Sequence, residues 1–201
     1  MYVGDWKGDR RNGHGKYLHR TGPAVGGRFE GHWRDGIKSG HGSYKAGDGA
    51  LYQGQYVKDR QEGWGAVAYP NGDLYEGQWK GGHFEGHGCM NWLVGAQYEG
   101  QWEGGRYHGI GTFTWADGTR YEGDWDNGLP QTGSIWTRDG GVKSFRRFDE
   151  LQFHRLLGGW PQHKAEEFIK CLKGARAGDH KMQAIADFNF GKGWEKKCGL
   201  E

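Results

Sequence analysis

The sequence predicts a mainly β protein, an elongated single-layer antiparallel solenoid of β-hairpins with a short α-helical C-terminal tail. Two observations carry this prediction. The phrase YEGQWKGGHFEGHG at residues 75–88 returns as YEGQWEGGRYHGIG at residues 98–111, and a repeated phrase marks a structural unit, because one catalytic site needs its motif only once. The 201 residues also include 41 glycines and 11 tryptophans, a mixture of turn formers and large rings that favours ordered β-structure over disorder.

Six units of this kind fill residues 1–141. Each has a starting ring, a glycine two positions later and a second ring four positions later, so all three lie on one face of a strand. The units start at Tyr2, Phe29, Tyr52, Tyr75, Tyr98 and Tyr121, and the last five starts are 23 residues apart. Turn residues such as Asn127-Gly128 close each hairpin, whereas Asn71-Gly72 and Asp117-Gly118 lead to the next unit.

The glycines inside the strands need a reason, because glycine weakens a strand unless another group comes close. Five units contain Gly-x-Gly in their second half, and the degenerate sixth unit has Thr132, Gly133 and Ser134 there. We expect the ring of a neighbouring unit to lie over this bare backbone. A phosphate cradle is the weaker interpretation, because the sequence has neither Gly-Lys-Ser/Thr nor a dinucleotide fingerprint.

The repeated rings form one stripe on a sheet that has no second layer of its own over residues 1–141. We expect these rings to be half covered in the free protein and to bind an extended peptide or helix of a partner. The predicted partner-binding residues are Tyr75, Trp79, Tyr98, Trp102, Tyr121 and Trp125. The recurrent glutamates, such as Glu76 and Glu99, point to the opposite face, where a solvated or turn-bonding role is favoured over acid catalysis.

Residues 142–201 differ in composition from the repeats. They contain 12 lysines and arginines against 8 aspartates and glutamates, and Phe145, Phe148, Leu151 and Leu156 are loosely spaced as one helical face. A helix is predicted from Pro161, with Phe168, Ile169 and Leu172 on its apolar stripe. These three residues are expected to cap the end of the sheet, and the alternative is that they dock into a partner protein.

No metal, cofactor or catalytic site is predicted. His14, His41 and His87 occupy the same place in their units, but equivalent residues of successive hairpins stand roughly 9 to 10 Å apart, too far to share a zinc ion. No Ser-His-Asp order, HExxH or P-loop stands out. Nucleic acid is not expected as a partner, because a net charge of +2 gives little attraction for phosphate.

The cellular compartment is predicted from the cysteines and from hydropathy. Cys89, Cys171 and Cys198 are odd in number and widely separated, which indicates a reducing environment. The N-terminal residues contain no apolar run of the kind found in signal peptides, and nothing further along approaches the ~18 apolar residues of a membrane span. We therefore expect a soluble, cytoplasmic protein.

The phrase YEGQWKGGHFEGHG resembles the MORN (membrane occupation and recognition nexus) repeat, whose pattern is Tyr-Glu-Gly-x-Trp-x-x-Gly followed by Gly-x-Gly. The resemblance covers residues 2 to about 141, with departures in the first unit, which has Val3 in place of glutamate, and in the sixth. It implies a twisted hairpin solenoid that serves as a scaffold or binding surface. Members of the family occur in junctional membrane proteins, ciliary radial spokes and parasite cytoskeletal structures.

Together these inferences predict a non-enzymatic scaffold or adaptor that binds protein partners in a ciliary or flagellar axoneme or another cytoskeletal assembly. The alternative is a peripheral tether with weak affinity for anionic phospholipid, which requires clustered Lys and Arg. Positive charge is interleaved with acid along the repeats and is loosely clustered only in the tail, so the adaptor is favoured. The oligomeric state is left open.

Overall fold

The computed structural model describes residues 1–146, which form one open antiparallel sheet of 13 strands in sequence order. No helix occurs within residues 1–146, and the predicted helical tail with Phe168, Ile169 and Leu172 lies outside the described residues. The chain divides into two compact units that begin at Met1 and at His87. The strands are β1 (Tyr2–Lys7), β2 (Arg10–Leu18), β3 (Arg28–Arg34), β4 (Ile37–Lys45), β5 (Leu51–Val57), β6 (Arg60–Ala68), β7 (Leu74–Lys80), β8 (His83–Asn91), β9 (Gln97–Glu103), β10 (Arg106–Thr114), β11 (Arg120–Asp126), β12 (Leu129–Trp136) and β13 (Val142–Phe145). The predicted mainly β antiparallel sheet is confirmed.

Two-residue turns join the strands of each hairpin. From the second hairpin onward both central residues have positive φ, as the type I′ turn requires to match the twist of the flanking strands, whereas in the first hairpin only Gly8, at 59°, does. Asn127 and Gly128 have φ of 50° and 84° between Asp126 and Leu129, which pair with each other. The turn between β5 and β6 holds φ of 49° and 67° without any glycine, at Lys58 and Asp59.

Five-residue loops return the chain to the next hairpin after β4, β6, β8, β10 and β12, whereas the loop between β2 and β3 spans residues 19–27. In the loop after β10, Trp115 N–H donates to the Thr119 carbonyl at 2.8 Å and Gly118 N–H donates back to the Trp115 carbonyl at 2.9 Å. The loop from Thr137 to Gly141 repeats both bonds, at 2.8 and 2.9 Å.

The chain therefore starts a seventh unit where the sequence analysis predicts helix. β13 follows this last loop, and Phe145 stacks on the Tyr121 ring with centroids 5.6 Å apart. The placing of Phe145 on a helical face is wrong, because Asp139-Gly140 forms the same return turn as Asp117-Gly118 and leads the chain back along β12.

Candidate functional site

The starting rings Tyr2, Phe29, Tyr52, Tyr98 and Tyr121 cover glycines of their own hairpins. A methyl group added to Gly100 or Gly111, which face each other on β9 and β10, would overlap the Tyr98 ring, and the same holds for the Tyr52 ring over Gly54 and Gly65. The expectation that a neighbouring unit's ring covers these glycines is wrong. The hairpin brings its own two glycines side by side beneath the ring that begins it.

The first glycine of Gly-x-Gly has a separate role. Gly109 has φ of 53° at a break in the β9–β10 register, where the Gln101 side chain accepts a hydrogen bond from Ile110 N–H at 3.0 Å. In the first hairpin Asp5 likewise accepts from His14 N–H at 2.9 Å. The motif is thus a β-bulge glycine followed by a ring-covered glycine.

The second ring of a unit reaches back to the preceding unit. Trp125 donates its indole N–H to the Gly111 carbonyl at 3.1 Å, and Trp102 donates to the Gly88 carbonyl at 3.1 Å. In the first compact unit, Trp79 donates to Gly65 at 3.0 Å and Trp33 to Gly15 at 3.2 Å. These bonds tie successive hairpins together on the same face.

All these rings form a buried layer, which we call the ring layer. The six predicted partner-binding residues belong to it, with exposed fractions of 0% for Tyr75, Tyr98 and Tyr121, 7% for Trp79, and 3% for Trp102 and Trp125. The expectation that they are half covered is wrong, because the rings cover one another. Tyr98 stacks on Tyr107 at 4.0 Å and meets Trp125 edge-on at 5.5 Å.

Burial changes the acidity of the phenols in this layer. It raises the pKa of Tyr52 to about 12, and it also raises the pKa of Tyr98 and Tyr121. The hydroxyls donate to backbone carbonyls three residues ahead, as Tyr98 does to Gln101 at 2.8 Å. These tyrosines are neutral structural donors at physiological pH.

Cations complete the ring layer near the N-terminus, which the sequence analysis does not foresee. The Arg11 guanidinium lies 4.1 Å from the Trp33 ring centroid, and Lys38 Nζ lies 4.8 Å from the Tyr44 centroid. Burial among the rings lowers the pKa of Lys38. Residues at the equivalent place in later hairpins include Phe84, which stacks on Tyr75 at 3.6 Å, so the same place accepts a cation or a ring.

The face of the sheet opposite the ring layer, here called the open face, is solvent-exposed in each compact unit. It carries Trp64, 56% exposed, in the first compact unit and Ile110, 63% exposed, in the second. His14 pairs across strands with His32, and their rings lie edge-to-face at 5.6 Å. His41 faces Gln55 instead of another histidine. Within residues 1–146, no three His, Cys, Asp or Glu side chains are grouped to hold a metal ion.

A groove of about 560 Å³ lies on the open face across β1 to β5. Period-two alternation places its open-face side chains opposite buried ring-layer residues such as Phe29. Tyr17, Phe29 and Ser43 contribute to its lining, together with the apolar open-face residues Met1, Val3, Leu18 and Leu51 and the charged open-face residues Lys16, Arg28, Glu30 and Lys45. The last eight carry the chemistry of the groove. We call these eight residues the basic groove.

The charges of the basic groove do not balance. Lys16 and Glu30 form an ion pair at 3.0 Å. Arg28 and Lys45 are direct cross-strand partners, and no acidic side chain within residues 1–146 contacts either of them. Like charges directly opposite each other destabilise a sheet. Two exposed cations thus lie side by side next to an apolar floor.

The fold and these surfaces define a protein of stacked β-hairpin repeats, with one face closed by its own rings and the other open to solvent. The chain belongs to the MORN repeat family, whose model matches residues 2–22, 29–50, 52–74, 75–95, 98–120 and 121–131. The identification from the repeated phrase is confirmed. MORN repeats indicate a protein-interaction or membrane-binding scaffold, and proteins built from them are in general non-enzymatic.

A comparison with curated protein sequences finds no match. Two solved structures align at 12% identity: the SAS-4 (dCPAP) TCP domain in complex with a proline-rich motif of Ana2 (dSTIL) of Drosophila melanogaster, and a mutant TCP10 domain of Danio rerio CPAP. The alignment with the first structure covers 68% of this chain and 79% of the SAS-4 chain, with a TM-score of 0.40. The second covers 66% and 78%, with a TM-score of 0.29. Similarity at this level establishes neither a common fold nor a common function. No helix within residues 1–146 is long and apolar enough to cross a bilayer.

Proposed function

We propose that this chain is a non-enzymatic scaffold that binds an extended, acidic segment of a protein partner in the basic groove. The observation that carries the proposal is the cross-strand pair of Arg28 and Lys45, two cations without an acidic partner within residues 1–146. A carboxylate between them would replace a repulsion by two charge-assisted hydrogen bonds. The apolar floor beside them suits the alternating side chains of an extended peptide.

A protein segment fits the groove better than a membrane surface does. Polybasic lipid-binding sites use about four to eight clustered Lys or Arg residues. The groove has three cations, and Lys16 is already paired with Glu30 at 3.0 Å. The two remaining charges suit a narrow acidic peptide rather than an extended anionic surface.

The ring layer lies on the opposite face of the sheet from the basic groove and stabilises the strands that form the groove. Rings that are 0 to 7% exposed hold the strands in place, and direct binding of a partner by Tyr75, Trp79, Tyr98, Trp102, Tyr121 and Trp125 stays a prediction. The cytoplasmic axoneme of a cilium or flagellum likewise stays a predicted location, which imaging of the tagged chain tests. The predicted docking of Phe168, Ile169 and Leu172 is tested by removing residues 147–201, which leaves β13 in place.

Peptide binding to the full chain tests the proposed groove. The probe is a fluorescein-labelled peptide of ten alternating glutamates and valines, and the reference is its lysine–valine counterpart, with anisotropy as the readout. We expect the acidic peptide to bind at least tenfold more tightly than the basic one. The Arg28→Glu/Lys45→Glu variant should lose at least tenfold in affinity for the acidic peptide, because its charges repel the probe.

Arg34→Glu is the matched control, because Arg34 is exposed at the other end of β3 and does not line the groove. It should leave the affinity within about twofold of the parent chain. If the folded parent chain does not prefer the acidic peptide, or if Arg34→Glu weakens binding as much as the groove variant, the proposal fails. Binding to phosphatidylserine vesicles without binding to the peptide would favour the membrane tether.

A further inference from the structure

Trp6 on β1 occupies the place that the other tryptophans use to hold a preceding hairpin. Trp33, Trp79, Trp102 and Trp125 are 3 to 7% exposed, and each donates its indole N–H to a glycine carbonyl of the unit before it. Trp6 is 57% exposed, and its indole nitrogen makes no hydrogen bond within residues 1–146. Within the described residues, Trp6 therefore has the position of a repeat-to-repeat contact residue but no hairpin to contact.

The backbone of β1 is also open at this edge. β1 is the first strand in the sheet order and pairs only with β2 within the described residues. Met1 and Leu18 exchange both backbone hydrogen bonds, each at 2.8 Å. Because antiparallel pairing directs alternate residues to alternate edges, the N–H and C=O groups of Tyr2 and Gly4 point away from β2. An unpaired edge of this kind is a template for another strand.

The contact between β2 and β3 shows what that strand must provide. Gly15 faces Gly31, and Trp33, two residues beyond Gly31, donates to the Gly15 carbonyl at 3.2 Å. A strand that fits β1 in the same way therefore has a glycine opposite Gly4, so that Trp6, two residues beyond Gly4, reaches its carbonyl. β1 itself has a glycine at that position.

We propose that a second copy of this chain pairs with β1 in an antiparallel arrangement, with the two Gly4 residues opposite each other. The symmetry axis is perpendicular to the sheet, so both ring layers lie on the same side. Each Trp6 then donates to the Gly4 carbonyl of the other copy and lies opposite its Tyr2, an aromatic cross-strand pair. A two-fold interface satisfies both indole nitrogens at once.

This interface uses the backbone edge and the ring-layer side chains of β1, whereas the paired cations that carry the peptide proposal, Arg28 and Lys45, lie on β3 and β4. The two proposals are therefore independent. Dimer formation can fail while the peptide still binds, and the reverse also holds.

Analytical ultracentrifugation of the full chain across a concentration series tests the dimer. We expect a reversible monomer–dimer equilibrium that Trp6→Ala weakens at least tenfold and that Trp6→Phe, which keeps a ring but removes the donor, weakens to a smaller extent. Trp64→Ala is the matched control, because Trp64 is 56% exposed, almost the same as Trp6, but lies on the open face. It should leave the equilibrium unchanged.

Hydrogen exchange locates the interface independently of these variants. The amides of Tyr2 and Gly4 should exchange more slowly as the parent chain is concentrated, and this protection should be absent in Trp6→Ala at the same concentration. A chain that stays monomeric up to about 1 mM overturns the proposal. A dimer that Trp6→Ala leaves intact, or whose protection appears on β13 and not on β1, also overturns it.

Discussion

The ring layer and the open face take alternate residues from the same strands, yet aromatic side chains are buried in the ring layer and exposed on the open face. Trp102 is 3% exposed and tied to the Gly88 carbonyl, whereas Trp64 on the open face is 56% exposed. The buried rings recur in nearly every unit, because every hairpin must make the same contact with its neighbour. The exposed ones occur at places where other units have histidine or isoleucine. In this chain, a recurrent ring indicates a contact between neighbouring hairpins.

Truncating a ring of the buried layer should have the largest effect on stability. Tyr98 is 0% exposed and contacts Trp102, Tyr107 and Trp125. Tyr98→Ala should lower the free energy of unfolding by about 3 to 5 kcal/mol, as for other buried aromatic residues. Glu99→Ala, the next residue on the open face, should change it by no more than about 0.5 kcal/mol. Urea unfolding measures both, and similar losses would remove the contrast between the faces.

The second largest loss of stability should come from adding a side chain to a glycine that lies under a starting ring. The added methyl of Gly111→Ala would overlap the Tyr98 ring, and displacing a packed ring should cost about 1 to 3 kcal/mol. Gly104 is the control: its φ is 55° and no atom lies within 4 Å of an added Cβ. Gly104→Ala should therefore show only the backbone strain, about 1 kcal/mol. A smaller loss for Gly111→Ala than for Gly104→Ala would mean that the ring does not lie on this glycine.

Alkaline pH should weaken the ring layer through its buried phenols. Burial raises the pKa of Tyr52 and Tyr69 from 10.0 to about 12. Because the unfolded chain ionises at the lower value, stability is fully retained below pH 10 and falls as the pH rises through about 12. Circular dichroism and phenolate absorbance should change together in this range. Phenolate absorbance that develops fully near pH 10 without loss of sheet would show that these rings are accessible.

The smallest expected effect on stability is the difference between removing the hydroxyl of Tyr98 and removing that of Tyr107, two tyrosines of the ring layer. Tyr98 donates its hydroxyl to the Gln101 carbonyl at 2.8 Å, whereas the buried Tyr107 hydroxyl has no hydrogen-bond partner within residues 1–146. Tyr98→Phe should lower the free energy of unfolding by about 1 kcal/mol, and Tyr107→Phe should leave it unchanged or raise it slightly. Thermal unfolding of the two variants side by side measures the difference. A reversed order would mean that the Tyr107 hydroxyl is satisfied in solution.

Most of the local structure could be predicted from the sequence, because it depends on residues close together in the chain. The hairpin turns at Gly104-Gly105 and Asn127-Gly128 require positive φ, and the period-two rings specify one face. The seventh unit was also visible locally, since Asp139-Gly140 repeats the return signal of Asp117-Gly118. The seventh unit lacks the starting ring that marks the other units, and basic residues follow Gly141. For these two reasons the sequence pattern predicts helix there instead.

The basic groove could not be predicted in this way. Arg28 and Lys45 belong to different strands, and nothing in the repeat pattern distinguishes them from other surface cations. Their repulsion depends on the cross-strand register. The cover of Trp33 by Arg11 at 4.1 Å likewise depends on two hairpins lying side by side.

The sequence by itself determined which side chains share a face, because strand alternation follows from the covalent chain and its dihedral angles. Only the tertiary structure decided which of those side chains are buried. Trp6 and Trp33 stand at the same place in their units, but Trp33 is 4% exposed and Trp6 is 57% exposed. The reason is that burial depends on the strand beyond the residue, and within the described residues β3 has β2 at that edge while β1 has none.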